Sequence, residues 1–399
     1  MLLRSAFPLA VVLLTGCRVI CGPDLGSNNV AVEMATHSID TLHEVQVADL
    51  RKRQANGDGV AALQLAEAYE RHGKGHPLRQ QKEHWRKLAA DANGTVSVPF
   101  RKGKVSFLKW QAAGALLSSE DEFVKAMSPF DRSARLQVAR VVGQAEYLRH
   151  VHKQALDWEL QEMVRMRRLL EEVSAKLGKR RLPWPGEIFL VKTTGREEAA
   201  AAYTRGSAIV LPRSKLKQDD AGLRRLLVHE LFHVLSRANP DMAAKLYRII
   251  GYTPSPPLEF PAELASLKIT NPDAPFNRHA IEVEHESKKV RVTPILYSRG
   301  PYDEKKGGVF FRYLVFRLLV LDPKNPARAA RDAANKLTLL KPNEAKGFRE
   351  QIGGNTSYII HPEETMADNF VFLVLGKKNL PTPGILKGME KVFLSYKNN

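Results

Sequence analysis

The sequence predicts an α+β protein: a helical N-terminal half followed by a mixed half of strands and helices. Three observations predict it. Apolar residues recur at helical spacing from about residue 45 to Gly178. A composition break then falls at LGKRRLPWPG (177–186), where two prolines flank Trp184, and the runs EIFLVKT (187–193) and SAIVLP (207–212) beyond it read as strands. A capped helical segment, LLVHELFHVLSR (226–237), follows those strands. With 399 residues, 44% hydrophobic and 26% charged, the chain is long enough for two domains with real cores and has an ordinary globular composition.

Residues 1–17, MLLRSAFPLAVVLLTGC, are expected to be a targeting segment rather than structure. They carry Arg4, an apolar run from Ala6 to Leu14 too short to span a bilayer, and small residues up to Cys17. The stretch Leu14-Thr15-Gly16-Cys17 resembles the lipobox of bacterial lipoproteins. That resemblance implies lipidation of Cys17, which becomes the mature N-terminus, and an exported protein held to the cell envelope by acyl chains. A plain secretory signal is the alternative. Residues 18–44 show no sustained periodicity and read as a tether. The only cysteines are Cys17 and Cys21, so the folded body cannot rest on disulfides or thiolate ligands. Any metal there must be held by histidines and carboxylates.

The net charge of +18 raises nucleic acid as a partner, but the basic residues are dispersed in RKR (51–53), RKGK (101–104), RMRR (165–168), GKRR (178–181) and EKK (304–306). No nucleic-acid motif accompanies them. An exported, tethered protein meets anionic head groups and wall polymers, so a membrane partner through the lipid anchor is expected and nucleic acid is not.

Residues 45–182 are expected to form a helical domain. Within it, residues 59–93 read as two short helices around a His-Gly-Lys-Gly turn, with Leu63, Ala66, Tyr69, Trp85, Leu88 and Ala89 as packing positions. The pair resembles one unit of a tetratricopeptide-like repeat or is a plain helical hairpin. Asp131 can cap a pattern that runs to Gly178 as one long helix, or as two broken near Gly143. His150 and His152, two positions apart, cannot share one helix face and read as surface residues. Residues 183–399 are expected to form the second domain. There Asp219-Asp220 offers an N-cap and Asn239-Pro240 ends the helix.

That helix carries His229-Glu230-Leu231-Phe232-His233, the pattern H-E-x-x-H. Positions four apart share one face, so His229 and His233 can ligate one ion. Glu230, offset by one, points beside it, where it can take a proton from water. Two ordinary helix histidines are the structural alternative. A catalytic zinc needs a third protein ligand. The pattern H-E-x-x-H-x-x-G-x-x-H is excluded, because Ser236 and Asn239 stand where its Gly and last His belong.

Downstream, IIHPEETMADNFVFLVLG (359–376) contains Glu364-x-x-x-Asp368, with Pro362 suited to a helix's first turn. With H-E-x-x-H, this pair resembles the gluzincin zinc metallopeptidases across about residues 187–375. The resemblance implies a zincin-like domain, with an edge strand that aligns extended substrate. AYTRGSAIVLP (202–212) sits where that strand belongs. It also implies His229, His233 and Glu364 as Zn²⁺ ligands, Glu230 as catalytic base and Asp368 as the residue orienting the first histidine. The long interval between His233 and Glu364 includes RHAIEVEHESKKVRVTPILYS (278–298), which alternates like a β-hairpin. With ITNPDAP (269–275), the motif resembles a set of bacterial envelope proteins.

Glu263, in LEFPAELASLK (258–268), is the competing third ligand, but the residue four positions on is Leu267, which cannot orient a histidine. Tyr358 and His361, just before the ligand helix, are candidate donors to a developing oxyanion, with packing or capping as the alternative. The expected function is zinc-dependent hydrolysis of peptide bonds in a peptide or protein substrate. A catalytically silent zinc-binding scaffold and an amidase of peptidoglycan peptides are the alternatives.

Overall fold

The computed structural model describes residues 44–72, 76–91 and 94–396. The leader, the tether and the lipidation expected at Cys17 lie outside the described residues, as does the His-Gly-Lys-Gly turn beyond His72. No helix among the described residues is long and apolar enough to cross a membrane.

The chain begins with α1 (Glu44–Ala55), α2 (Gly59–His72) and α3 (His76–Ala89). Ala66, Trp85 and Ala89 pack in a small core between these helices, with Leu63 at its margin. Leu88, expected to pack with them, is exposed instead. Trp85 and Ala89 set the inward stripe of α3, and Leu88 falls to one side of it. The side chain of Tyr69 lies outside the described residues.

The next elements depart from the expected all-helical half. β1 (Val96–Phe100) and β2 (Gly103–Phe107) form an antiparallel hairpin. Val96, Val98 and Phe100 turn inward on alternate positions, a period of two that suits a strand. The hairpin reverses at Arg101-Lys102, with Arg101 left-handed (φ 57°), so RKGK is in good part a turn rather than a binding patch. Next come α4 (Trp110–Leu117), α5 (Glu122–Ala126), α6 (Pro129–Leu136), α7 (Gln144–His152), β3 (Ala155–Leu156) and α8 (Leu160–Leu177).

The run expected from Asp131, as one long helix or two broken near Gly143, is three helices, one of which does start at Gly143. Left-handed Gln137 ends the first, Gly143 starts the second, and β3 leaves to pair with the main sheet. Ser128, not Asp131, is the cap, and Asp131 completes a capping box as its third helical residue. His150 and His152, expected at the surface, are both half-buried.

β4 (Glu187–Thr193), β5 (Tyr203–Arg205) and β6 (Ala208–Pro212) match the expected strand positions. The main sheet runs β1-β2-β4-β6-β5, with β3 beside β4. β2, β4 and β6 are parallel, and β5 returns antiparallel as an edge. Pro99 is tolerated because β1 is the opposite edge.

Then come α9 (Asp220–Ala238), α10 (Pro240–Arg248), β7 (Tyr252–Pro254), α11 (Ala262–Ala265), β8 (His279–His285), β9 (Lys288–Ser298), β10 (Leu314–Val320), β11 (Leu339–Leu340), α12 (Phe348–Ile352), α13 (Pro362–Leu375) and α14 (Gly384–Ser395). The expected hairpin at 278–298 is β8–β9, at the heart of a second, antiparallel sheet β11-β10-β9-β8-β7.

The expected boundary at 182/183 falls between α8 and β4, yet sheet and core both run across it. β2 from the first half pairs with β4 from the second. Met166, Leu190, Ile209, Leu231, Ile281, Leu318 and Phe370 belong to one hydrophobic core.

Candidate metal centre

The centre is built where α9 meets α13. Asp219 caps α9 by accepting from the Gly222 N–H at 2.7 Å, so the helix starts in the expected register. Its middle is buried nearly all round: Leu227, Val228, Leu231, Phe232, Val234 and Leu235 are in the core, with Leu226 at the margin. Helix α13 starts with Pro362 at its first position. His361 is its N-cap: its Nδ1 accepts from the Glu363 N–H at 3.1 Å. The imidazole also meets the Phe276 backbone, and burial lowers its pKa to about 4, so the capping ring stays neutral. Of the two roles expected for His361, donor to an oxyanion or cap, its Nδ1 fills the capping one.

The residues singled out by H-E-x-x-H and E-x-x-x-D come together. Ring nitrogens of His229 and His233 and a carboxylate oxygen of Glu364 all lie within 4.8 Å of one another. Glu364 Oε2 is 3.1 Å from His229 Nε2 and 3.5 Å from His233 Nε2. The Asp368 carboxylate stands 3.3 Å from His229 Nδ1 and is itself held by Arg225 and Thr356. Glu263 is not among them. It pairs with Arg331 at 2.9 Å on the exposed α11.

Sequence reasoning missed the partner of the second histidine. Glu363 Oε1 lies 2.7 Å from His233 Nδ1, and the same carboxylate accepts from the Ser236 and Tyr247 hydroxyls. Each imidazole thus has Nδ1 against a carboxylate and Nε2 turned toward Glu364, the orientation that fixes a ligand histidine. The only available signal was the doubled acid in Pro362-Glu363-Glu364.

The His233 Nε2 atom is fully buried and has no hydrogen-bond partner. A buried polar atom in that state costs about 1–3 kcal/mol unless something meets it. Two imidazoles and one carboxylate are the donor set that zinc accepts while keeping an open position, so the residues fit that ion.

The electrostatics agree with a cation site. Burial opposes charge on His229, but its contacts to Asp368 and Glu364 outweigh this and raise its pKa to about 10. His233 is likewise raised well above the usual imidazole range, against burial, by the charges of Asp273 and Glu364. Glu364 is held below the carboxylate range, also against burial, by His233 and His229. The acids place net negative potential on the two rings, and a bound divalent cation would replace protons there.

Glu230, buried beside the ligands, accepts from the Thr204 hydroxyl at 2.8 Å. Burial raises its pKa, with His233 and His229 opposing, whereas Glu363, Glu364 and Asp368 are all lowered. The half-buried Tyr358 stacks on His229, centroids 6.0 Å apart at 24°. Its phenol is pushed well above its ordinary pKa by burial and nearby acids, so it is held as a proton donor. Asn271 Nδ2 donates to Glu364 Oε1 at 2.5 Å. Asp273 forms a second close group with Glu230 and His233.

Fold and cluster together define an α+β protein with a buried His–His–Glu constellation between two helices, next to a sheet edge. A family model described as the eCIS core domain, a contractile-injection-system-related domain, matches residues 191–240. The matched stretch runs from the end of β4 through the β5–β6 hairpin and all of α9, and so contains both histidines and Glu230. No curated protein and no solved structure matches the chain.

Proposed function

We propose that this chain is a zinc-dependent peptidase of the gluzincin type, anchored by lipid at Cys17 to the cell envelope. The observation that carries the reading is the buried His233 Nε2, without a partner and turned with His229 Nε2 toward Glu364, while a carboxylate holds each Nδ1. His229, His233 and Glu364 would hold the zinc. When bound, zinc supplies a Lewis acid that acidifies water and polarises a carbonyl.

The rest of the chemistry falls to the protein. Glu230 Oε2 is fixed by Thr204, which leaves its other oxygen to take a proton from water and return it to the leaving amine. Tyr358, stacked on His229, donates toward the developing oxyanion. β5 is the edge on which an extended peptide would add as a strand.

The test is direct. Purified protein should hold about one zinc per chain and cleave an unstructured protein, and Glu230→Gln should keep the zinc and lose cleavage. A second reading, a zinc-holding scaffold in a multiprotein assembly, draws on the eCIS match over β5–α9. Stoichiometric zinc without hydrolysis by the wild type would favour it.

A further inference from the structure

The turn Asn271-Pro272-Asp273-Ala274 is not used by the chemistry above, yet it touches the centre at two points. At the first, Asn271 Nδ2 donates to the ligand carboxylate Glu364. Asn271 Oδ1 accepts from the Asp273 N–H at 3.0 Å, and the Ala274 N–H closes the turn on Asn271 O at 3.2 Å. At the second, Asp273 Oδ1 accepts from the Thr204 N–H at 2.6 Å. Thr204 is the middle residue of the edge strand β5, opposite Ile209.

An edge strand offers N–H and C=O groups that an incoming extended chain pairs with. At Thr204 both are taken. The N–H goes to Asp273, and the carbonyl accepts from Arg237 Nη1 at 3.0 Å. Arg237 Nη2 in turn holds the carbonyls of Pro272, at 3.1 Å, and Asp273, at 2.9 Å. A peptide laid along β5 would therefore compete with the protein's own turn.

The same carboxylate also faces the chemistry. Oxygens of Asp273 and Glu230 and a His233 nitrogen all lie within 4.8 Å of one another. Three protein ligands leave a position open for water or substrate, whereas a fourth carboxylate closes the set. His233 Nε2, buried and unpartnered, is the atom such a closed set would engage.

We propose that the Asn271–Ala274 turn is an internal latch. In the resting protein Asp273 takes both the β5 main-chain site and the open face of the His229–His233–Glu364 set, and turnover requires the turn to withdraw as substrate replaces it on Thr204. The inference rests on the peptidase reading.

The experiment uses the full chain loaded with zinc, and with cobalt for spectroscopy. Asp273→Ala should raise kcat/KM on an extended peptide about 10-fold or more and tighten a peptide hydroxamate by a similar factor, read from the cobalt visible spectrum. In the wild type, saturating hydroxamate should speed amide exchange across residues 269–276 about 10-fold or more while Thr204 stays protected. That measurement decides the matter even if the alanine variant does not fold. Unchanged hydroxamate affinity in Asp273→Ala, or unchanged exchange in 269–276 on binding, overturns the latch. Loss of activity with zinc retained also overturns it and makes Asp273 a catalytic residue. If the wild type and Asp273→Ala both hold zinc and bind hydroxamate but neither hydrolyses peptide, the peptidase reading fails while the spectrum and the exchange data still judge the latch.

Discussion

Replacing Glu363 tests whether the second histidine is a ligand held in place by its own carboxylate. Glu363 meets His233 Nδ1 at 2.7 Å and accepts from Ser236 and Tyr247, both buried. Losing a group that orients a ligand histidine typically weakens metal binding about 10- to 100-fold, which is about 1.4–2.7 kcal/mol. The alanine variant also strands the buried Tyr247 hydroxyl and His233 Nδ1, at about 1–3 kcal/mol each, while Ser236 keeps the His233 carbonyl, so the metal-free protein should lose about 2–6 kcal/mol of stability. Glutamine keeps an acceptor oxygen for His233, and its amide can donate to Tyr247. Glu363→Gln should therefore fold almost normally and lose zinc affinity nearer to 10-fold. Competition with a chromophoric zinc chelator at neutral pH measures the affinity, and urea denaturation of the metal-free protein measures the stability. A folded Glu363→Ala with wild-type zinc affinity would refute the reasoning, because the Nδ1 contact would then have no bearing on the ligand ring.

Glu364→Ala should abolish stoichiometric zinc while Glu263→Ala keeps it, as metal analysis of folded protein would show, because Glu263 is tied to Arg331 on an exposed helix. A pH effect is expected away from the centre, at Glu197. Burial raises its pKa from 4.5 to about 7, against a hydrogen bond from Thr193, and its Oε2 is buried without a partner. The folded state then keeps a proton that the unfolded chain releases above about pH 4.5, so this contribution is full below that pH and is lost as the pH rises through about 7. Glu197→Gln should match the wild type near pH 4.5 and exceed it by up to about 3 kcal/mol at pH 8 in urea denaturation. A pH-independent difference would contradict the assignment.

What could be read from the sequence is what depends on neighbours within one or two turns. His229, Glu230 and His233 share a helix, as do Glu364 and Asp368, and spacing alone put each set on a usable face. β4, the β8–β9 hairpin and the Asp219 cap were equally local. The pairing of β2 with β4 was not, since it joins Lys104 to Glu187, and neither were the bonds from Thr204 and Asn271 to the centre, which span 26 and 93 residues. Glu363 illustrates the difference. Its i+4 neighbour Ala367 gives no hint of a role, and its partners His233, Ser236 and Tyr247 all come from other helices. The helical run from 131 failed for another reason. Its apolar spacing was sound, but Gln137 in a left-handed conformation carries no strong sequence mark.

Long-range contacts also tie the N-terminal half to the edge strand and to the segment beside the centre. Arg205, in β5, reaches back to Asp121 at 2.6 Å and to the carbonyls of Leu117 and Ser119. Beside the Asn271–Ala274 turn, Asp131 accepts from the Thr270 N–H and hydroxyl, and Arg135 joins Asp131, Glu198 and the Thr270 carbonyl. Arg135 is wholly buried, with its guanidinium 4.5 Å from the Phe310 ring centre. A buried ion cluster of this kind adds little net stability over an apolar core, but it enforces one geometry because any shifted arrangement leaves a charge unpaired. That geometry sets Thr270, the residue from which the Asn271–Ala274 turn departs, relative to the edge strand. Helices α4 to α6 therefore act on the centre without touching a ligand. They hold β5 at Arg205 and the root of the turn at Thr270.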